Sequence, residues 1–369
     1  MVDSRMRSAA RFIRPLLVAL AVLPSLSVPA WAQPAAPKPT VYVLSTGGTI
    51  AGRGASSTSL SEYASGTVKG EELVNAVPEI KDVAQVKVEQ IANVNSSDMT
   101  LAIWLTLAKR INEIYAADKT VAGVVVTHGT NTLEETAYFL GLTVQDERPV
   151  VVVGSMRPAT AISADGPLNL LNAVRVAASP EARGKGALVV LNDEINAARD
   201  VTKTNTYRVE TFKAPELGMM GYVDADAVTF YRTSTKRHTT RSEFDVRGLT
   251  TLPQVDILYS YVEPNPALAK ALADSGAKGI VYAGAGAGLL SANEKKGLEP
   301  LRALPEASRP VLVRTSRVGN GRVIAMNEYD ALGMIPGDTL NAQKARVLLM
   351  LALTKTRDPK ELRRIFAEY

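Results

Sequence analysis

Four short loops of this 369-residue chain are rich in hydroxyl groups and small residues, and each follows an apolar run. They are Ser45-Thr46-Gly47-Gly48-Thr49, Asn95-Ser96-Ser97-Asp98, Thr127-His128-Gly129-Thr130-Asn131-Thr132 and Gly154-Ser155-Met156-Arg157-Pro158. In sheets of parallel strands, ligands bind where the strands end, because the loops converge there. A hydroxyl on such a loop can act as a nucleophile when a neighbouring group takes its proton. Thr49, which follows two glycines, is placed for that role.

Residue types and spacing disfavour several other chemistries. The chain has no cysteine, and His128 and His238 are its two histidines, so a zinc hydrolase and a serine-histidine triad have few residues to draw on. No G-x-x-x-x-G-K-[ST] motif occurs, and Gly284-Ala285-Gly286-Ala287-Gly288 lacks the G-x-G-x-x-G spacing of dinucleotide sites. A phosphate-binding loop and a nicotinamide-dependent oxidoreductase are therefore poor alternatives, and we expect no metal or organic cofactor.

Apolar runs alternate with helical patterns along the chain, which predicts an α/β fold. The predicted strands lie at residues 41–44, 83–92, 124–127, 150–153, 187–191, 255–262, 279–283 and 311–315. Continuous apolar strands separated by helices indicate mostly parallel, three-layer α/β sheets. We predict two domains, a larger N-terminal catalytic domain at 40–233 and a smaller, flavodoxin-like C-terminal domain at 254–369. Residues 234–253 lose apolar periodicity and are predicted to be the linker.

Two local predictions concern the loops. Asp98 is predicted to cap the helix that runs through Ile103 and Ile111. The segment from Asp193 to Thr206 has few large apolar residues, so we expect an irregular or hairpin loop after the strand that ends at Leu191, with Lys203 in neither a sheet nor a helix.

The N-terminus has the pattern of a secretory signal peptide at residues 1–32. Four arginines precede an apolar run from Leu16 to Leu23, and Ala30-Trp31-Ala32 has the small residues of a cleavage site. The apolar run is much shorter than the roughly 20 residues that a membrane span needs. Residues 1–32 hold four of the 42 basic and one of the 37 acidic residues, so the remainder carries about +2. We therefore expect a periplasmic or secreted protein with no membrane anchor and no nucleic-acid partner.

Two of the four loops resemble the signatures of bacterial type II L-asparaginases and glutaminase-asparaginases. These are the stretch from Ser45 to Gly52 and the stretch from Thr127 to Thr136. The resemblance extends through Met156-Arg157-Pro158, Ser163-Ala164-Asp165-Gly166-Pro167, the segment 200–206 and the segment 344–349. It covers nearly all of the chain that follows the signal peptide, and it implies hydrolysis of the side-chain amide of asparagine.

The resemblance also implies roles for individual residues. Thr49 would attack the amide carbon to give an acyl-enzyme and ammonia, and Tyr63 would help to remove its proton. Thr130 and Lys203 would form a second pair of a hydroxyl and an amine that faces the same carbon. A lysine must be partly neutral to act as a base near neutral pH.

Substrate binding in this family implies a second set of residues. Ser96 would hold the α-carboxylate, and Ser97 follows it. Glu328 would correspond to an acidic residue that a neighbouring subunit contributes to the site. The resemblance therefore implies a homo-oligomer, a tetramer of two dimers that share their sites.

Three positions depart from the family pattern. Asn131 stands where the family usually carries Asp, Ser97 where Gln or Glu is usual, and Glu263 near where Asn or Ser is usual. Asn131 keeps an acceptor oxygen but lacks the charge that would hold an α-ammonium group. We consider two interpretations: Glu263 restores the missing carboxylate, or Asn131 marks a slower or altered enzyme.

A protein of another class could share much of this sequence pattern. Periplasmic amino-acid binding proteins are also exported, poor in cysteine and built from two α/β domains. Such a protein gives no reason for Thr49, Thr130 and Lys203 and would bind without turnover. The sequence alone does not rank asparagine against glutamine, because one methylene changes binding by only about 1 to 3 kcal/mol.

Overall fold

The computed structural model describes residues 37–369, and the predicted signal peptide lies outside these residues. Contacts join Lys38–Tyr369 into one compact unit. Within the described residues, no helix combines the length and the apolar character needed to cross a membrane.

Two sheets, one large and one small, account for most of the strands in residues 37–369. All strands, in chain order, are β1 (Thr40–Gly47), β2 (Arg53–Gly54), β3 (Tyr63–Ala64), β4 (Gln85–Val94), β5 (Val121–Thr127), β6 (Val150–Val153), β7 (Ala187–Leu191), β8 (Glu194–Ala197), β9 (Thr202–Lys203), β10 (Phe212–Lys213), β11 (Gly221–Val223), β12 (Val228–Phe230), β13 (Val255–Tyr259), β14 (Gly279–Gly284), β15 (Val311–Ser316) and β16 (Met334–Pro336).

The strand order of the large sheet determines where its loops diverge. The order is β12-β11-β8-β7-β6-β5-β1-β4, with parallel pairing from β4 to β7 and antiparallel pairing from β7 to β12. After β1, the next strand of this sheet along the chain is β4, which lies beside β1 at the edge of the sheet. After β5, the next strand is β6, which lies on the opposite side, so the direction of the connections reverses between β1 and β5. Ligands bind at such a switch point in open α/β sheets, because the loops leave a crevice there. The loops after β1 and β5 carry Thr49 and Thr130.

Helices cover both faces of this sheet. The α-helices of residues 37–369 are α1 (Gly70–Asn75), α2 (Ile80–Val83), α3 (Leu101–Ala117), α4 (Leu133–Thr143), α5 (Gly166–Ala178), α6 (Leu268–Asp274), α7 (Ala292–Gly297), α8 (Glu299–Arg302), α9 (Asn327–Asp330), α10 (Ala342–Ala352) and α11 (Pro359–Glu368). On β5, Val124 and Val126 face one hydrophobic core and Val125 faces the other. This division confirms the prediction of a sheet that is buried on both faces.

The small sheet consists of β13, β14, β15 and β16, all parallel. Helix α10 contacts this sheet and also α4 of the N-terminal half. Its residues Leu348 and Leu349 are fully buried, and burial of such a side chain contributes about 1.5 to 3 kcal/mol. Residues 234–253, where the sequence predicts a linker, contain neither a strand nor an α-helix.

The prediction that Asp98 caps the helix at Leu101 is wrong. Asp98 ends a separate 3-10 turn (Ser96–Asp98), and α3 is capped by Thr100, whose hydroxyl accepts a hydrogen bond from Ile103 N at 3.3 Å. Both residues are common N-caps, so residue type alone does not separate them.

Candidate active site

Glycines allow three of the polar loops to touch one another. Gly48 has a φ of +83°, and a Cβ atom built on it would lie 2.2 Å from the Cα of Gly129. A Cβ on Gly129 would in turn lie 2.6 Å from the hydroxyl oxygen of Ser96. Only glycine fits at both positions, because any side chain would drive the loops apart. The loops after β1, β4 and β5 therefore meet at one point.

Thr49 begins a buried 3-10 turn (Thr49–Ala51) directly after Gly48, and 7% of its surface is exposed. Its hydroxyl lies 2.8 Å from the phenol oxygen of Tyr63, and either group can donate the hydrogen bond. Tyr63 pairs with Gly54 across the β2–β3 hairpin, and its ring packs on Gly52. A hydroxyl–phenol pair of this kind gives the threonine proton a place to go.

A second pair forms between Thr130 and Lys203. The Lys203 amine donates a hydrogen bond to the Thr130 hydroxyl at 3.0 Å and lies 3.5 Å from the amide oxygen of Asn131. Lys203 belongs to β9, which pairs with β10 in a two-stranded sheet, so the prediction that it lies in neither a sheet nor a helix is wrong. The strand is only two residues long, which is too short to show a periodic apolar pattern in the sequence. Burial lowers the pKa of the Lys203 amine, because the charged form is less well solvated there. The amine is thereby shifted toward the neutral form that a base requires.

Asn131 links this pair to the loop after β4. Its side-chain amide donates a hydrogen bond to the Ser97 hydroxyl at 2.9 Å. Its backbone N–H donates to the Ser96 hydroxyl at 3.1 Å, and the Thr132 hydroxyl donates to the Ser96 carbonyl at 2.7 Å. Ser97 and Asn131, two of the departures from the family pattern, are therefore hydrogen-bonded to each other.

These groups border one cleft of about 510 Å³. The cleft is lined by Leu60, Ser61, Tyr63, Thr130, Asn131, Met156, Lys203, Thr204, Asn205, Thr206 and Tyr207. Thr49 is joined to this lining through Tyr63, and Ser96 and Ser97 are joined to it through Asn131. The structure thus brings together seven of the nine candidate residues that the sequence identifies.

Glu263 and Glu328 are not brought to this cluster within one chain. Glu263 follows β13, is exposed and has a φ of +55°. Glu328 lies on α9 and pairs with Lys295. Neither carboxylate forms a hydrogen bond or an ion pair with Asn131 or Lys203 in the described part of the chain.

His128 has a structural role that the sequence analysis did not assign. It is fully buried, and its ring nitrogens lie 2.7 Å from the Gly129 carbonyl and 2.8 Å from the Thr136 hydroxyl. Burial lowers the pKa of His128 to about 4, so the ring is neutral. The Nδ1 atom faces a carbonyl and must carry the hydrogen, whereas Nε2 accepts from Thr136. His128 therefore fixes the backbone of the loop that carries Thr130.

Two further positioning residues, Asp165 and Lys344, lie in segments that share the family resemblance but had no predicted role. The Asp165 carboxylate accepts hydrogen bonds from the backbone N–H groups of Met156 and Arg157, each at 2.9 Å, which fixes the loop after β6. The buried amine of Lys344, on α10, donates to the carbonyls of Arg199 and Val201. Asp165 stands immediately before Gly166-Pro167, where α5 begins, and this position could have indicated a structural role for its carboxylate. For Lys344, no signal in the sequence pointed to a partner so far away in the chain.

Two protein-family profiles match consecutive parts of this chain. The profile described as "Asparaginase, N-terminal" matches residues 40–236, and the "Glutaminase/Asparaginase C-terminal domain" matches residues 254–366. The chain is 53% identical to L-asparaginase 2 of Bacillus subtilis, over 90% of this chain and 87% of that protein. It is 47% identical to a probable periplasmic L-asparaginase of Haemophilus influenzae, over 91% of this chain and 94% of that protein.

The fold comparison agrees with the sequence comparison. The crystal structure of a probable cytoplasmic L-asparaginase from Campylobacter jejuni superposes with a TM-score of 0.86 at 48% identity. The match covers 90% of this chain and all of that one. Profiles, relatives and fold agree with the motifs around the cleft, and the chain belongs to the asparaginase family.

Proposed function

We propose that this protein is an amidohydrolase that converts L-asparagine to L-aspartate and ammonia, with L-glutamine as the second amide to be tested. The observation that carries the proposal is the hydrogen bond of 2.8 Å between Thr49 and Tyr63 beside the cleft. Family membership supports the reaction, and the geometry supports the assignment of the nucleophile. The rival class, a periplasmic amino-acid binding protein, gains no support from the relatives and leaves both hydroxyl pairs unexplained.

Thr49 is the proposed nucleophile. Its hydroxyl oxygen attacks the side-chain carboxamide carbon, and its proton passes to the Tyr63 oxygen, which gives its own phenolic proton to the departing nitrogen. Ammonia leaves, and the aspartyl group remains as an ester of Thr49. Water then cleaves the ester, releases aspartate and restores the hydroxyl. Covalent catalysis of this kind divides one difficult step into two easier ones.

Thr130 and Lys203 are proposed to act on the same carbon. The lysine amine is hydrogen-bonded to the Thr130 hydroxyl at 3.0 Å, and its pKa is lowered by burial. A lowered pKa raises the fraction of the neutral amine, and a neutral amine can accept a proton and polarise the hydroxyl or a water molecule. The pair is therefore suited to proton transfer during acylation or deacylation.

Ser96 is the proposed ligand of the substrate α-carboxylate, with Ser97 beside it. The Ser96 hydroxyl already accepts a hydrogen bond from the Asn131 backbone, so its own hydrogen is available to donate to an anion. Asn131 is the proposed neighbour of the substrate α-amino group.

The acidic residues Glu263 and Glu328 are proposed to reach the site from a second copy of the chain. This proposal is supported by the separation of both residues from the cleft residues within one chain and, for Glu328, by the family resemblance. It requires a homo-oligomer with shared sites, which we propose to be a tetramer. Analytical ultracentrifugation of the purified protein tests the oligomeric state, and a monomer at assay concentration would contradict it.

Export is proposed from the N-terminal sequence. The names of the relatives differ in compartment, since one is called periplasmic and another cytoplasmic. Removal of residues 1–32 and a periplasmic location are tested by N-terminal sequencing of protein from the periplasmic fraction. We also propose the domain division at 234–253, which limited proteolysis can test.

Steady-state kinetics test the proposed reaction. Ammonia release is measured with L-asparagine and with L-glutamine, for the wild type, for Thr49→Ala and for Thr106→Ala, an exposed threonine on α3. We expect turnover of asparagine by the wild type and by Thr106→Ala, and a loss of at least about a hundredfold in Thr49→Ala. Binding of asparagine without any ammonia release by the wild type would favour the binding-protein class.

A further inference from the structure

Glu328 lies on α9, a helix of only four residues that follows the connection 317–326. A single helical turn has little stability by itself, so tertiary contacts must fix its place. Tyr329, the next residue, supplies such contacts. Its side chain is buried, and its phenol oxygen accepts a hydrogen bond from the Leu290 N–H at 2.9 Å. The burial of Tyr329 therefore fixes the backbone that carries Glu328.

Arg314, on β15, holds both the Tyr329 ring and the connection that leads into α9. Its guanidinium carbon lies 4.1 Å from the centre of the ring, and its side chain is buried. It donates hydrogen bonds to the carbonyls of Ala287 at 3.1 Å and Ile324 at 2.6 Å. Arg314 forms no ion pair with a carboxylate within residues 37–369, so carbonyl groups and the aromatic ring stabilise its charge.

Lys295, on α7, contacts the same pair of residues from the surface. Its amine lies 5.4 Å from the centre of the Tyr329 ring and forms an ion pair with Oε1 of Glu328. The other carboxylate oxygen, Oε2, takes part in no hydrogen bond in the described part of the chain, and the Glu328 side chain is exposed. Lys295 therefore holds one oxygen and leaves the other available to a ligand.

We propose that Arg314 and Lys295 are positioning residues for substrate binding, which hold the Glu328 carboxylate where the cleft of a second copy can use it. This inference rests on the proposed function, in which Glu328 reaches the site of a second copy. There the carboxylate would bind the α-ammonium group of the substrate. A carboxylate that is already held in place loses less conformational freedom on binding, so it binds more tightly. Because these residues do not touch the amide, affinity should depend on them more than kcat does.

Recognition of the α-ammonium group is measured with two competitive inhibitors of ammonia release from L-asparagine. One is L-aspartate, and the other is succinate, which is the same molecule without the amino group. Glu328→Gln should raise Ki for L-aspartate at least about tenfold, because it removes a charged hydrogen-bond partner. Ki for succinate should stay within about twofold of the wild-type value. An unchanged Ki for L-aspartate in Glu328→Gln, with normal turnover, would overturn the inference and leave the proposed reaction intact.

Lys295→Met should raise Ki for L-aspartate about two- to fivefold, the range that an exposed ion pair supports, and leave Ki for succinate unchanged. Lys296→Met changes the next residue on α7, which is exposed and forms no ion pair in the described residues, and it should match the wild type. In the Glu328→Gln background, Lys295→Met should have no further effect, because the two changes remove the same contact. An effect of equal size in that background would overturn the positioning role.

Arg314→Lys keeps the charge but loses the planar contact with Tyr329 and the fork of hydrogen bonds. We expect at least about a fivefold rise in Ki for L-aspartate, with kcat within about threefold of the wild type. Arg309→Lys is the matched control, because Arg309 lies just before β15 and also donates to backbone carbonyls. If Arg314→Lys does not fold, Lys295→Met and its combination with Glu328→Gln still decide the question.

Melting temperatures and sedimentation of every variant accompany the inhibition constants. Equal rises in Ki for L-aspartate and succinate would show a general disturbance of the site and would overturn the inference. Dissociation of the oligomer in Lys295→Met or Arg314→Lys would overturn it too, because the residues would then act in assembly. Absence of ammonia release by the wild type would instead refute the proposed function.

Discussion

The amine of Lys344 donates a hydrogen bond to the backbone carbonyl of Arg199 at 2.8 Å, so a helix of the C-terminal half holds the segment that leads to Lys203. Lys344 is only 1% exposed, and Glu134 lies 3.8 Å away. Burial lowers the pKa of Lys344 to about 8. Lys203, the proposed base, is therefore positioned from both halves of the chain.

Lys344→Met should destabilise the protein and reduce turnover. Loss of the amine leaves the buried carbonyls of Arg199 and Val201 without their donor, which costs about 1 to 3 kcal/mol, and removes the positive charge beside Glu134. We expect a lower urea midpoint and a fall in kcat larger than the change in KM, because Lys203 loses its position. Lys360→Met on α11, where the lysine is exposed, is the matched control. Equal stability and kcat in both variants would show that Lys344 does not position the site.

Replacement of Lys203 by either methionine or arginine should abolish most of the turnover. A general base contributes about a hundredfold to ten-thousandfold to a rate, so Lys203→Met should lower kcat by that order. Arginine keeps its proton in proteins and cannot act as the base, so Lys203→Arg should not restore turnover. Initial rates of ammonia release give the comparison, and circular dichroism confirms the fold. Near-normal kcat in Lys203→Arg would exclude the neutral amine from the mechanism.

Gly48→Ala should disrupt the meeting point of the loops. Its Cβ would lie 2.2 Å from Gly129 Cα, and the backbone has a φ of +83°. We expect strong loss of activity and a lower melting temperature. Gly184→Ala is the matched control. Gly184 has a φ of +70°, but no atom lies within 4 Å of the position that a Cβ would take there. This variant therefore measures the cost of the backbone conformation alone, about 1 to 2 kcal/mol. If the two variants retained the same activity, close contact of the loops would be irrelevant to function.

Stability should fall as the pH is lowered through the range in which His128 would titrate. The pKa of His128 is about 4 in the folded chain, against an ordinary value of 6.5, because the ring is buried. The unfolded chain binds the proton more readily, so this contribution is complete above about pH 6.5 and is lost progressively toward about pH 4. The loss is up to about 3 kcal/mol.

Urea unfolding between pH 7 and pH 4.5 measures this dependence. His128→Gln should show a shallower decline than the wild type. The pKa of His238 is also lowered to about 4 by burial, with Arg241 contributing. His238→Gln should therefore also make the fall in stability at low pH shallower, independently of His128→Gln. An unchanged slope in His128→Gln would contradict the neutral, buried state of this ring.

The sequence predicted the elements that depend on local patterns. Strands β1, β5 and β6 are continuous apolar runs, and Thr49 and Thr130 follow two of them, so the position of these residues at one edge could be inferred from the order of elements. The cap of α3 could not be decided, because Asp98 and Thr100 are both suitable residue types.

Contacts between distant parts of the chain were beyond sequence patterns. The bond from Lys344 to Arg199 spans 145 residues, and nothing in the local sequence of either specifies the other. The bond between Asn131 and Ser97 depends on the closeness of two loops, which the glycines permit but do not determine. The placement of Glu263 and Glu328 depends on a second copy of the chain and stays a prediction.

The most direct test is to locate the acyl group by mass spectrometry after rapid acid quenching of a reaction with L-asparagine. Thr49 and Thr130 are both hydrogen-bonded to a titratable side chain, so either could be the nucleophile, and the position of the ester distinguishes them. We predict an aspartyl ester on the peptide that contains Thr49, and none in Thr49→Ala. An ester on the Thr130 peptide, or full turnover by Thr49→Ala, would contradict the assignment of Thr49 as the nucleophile.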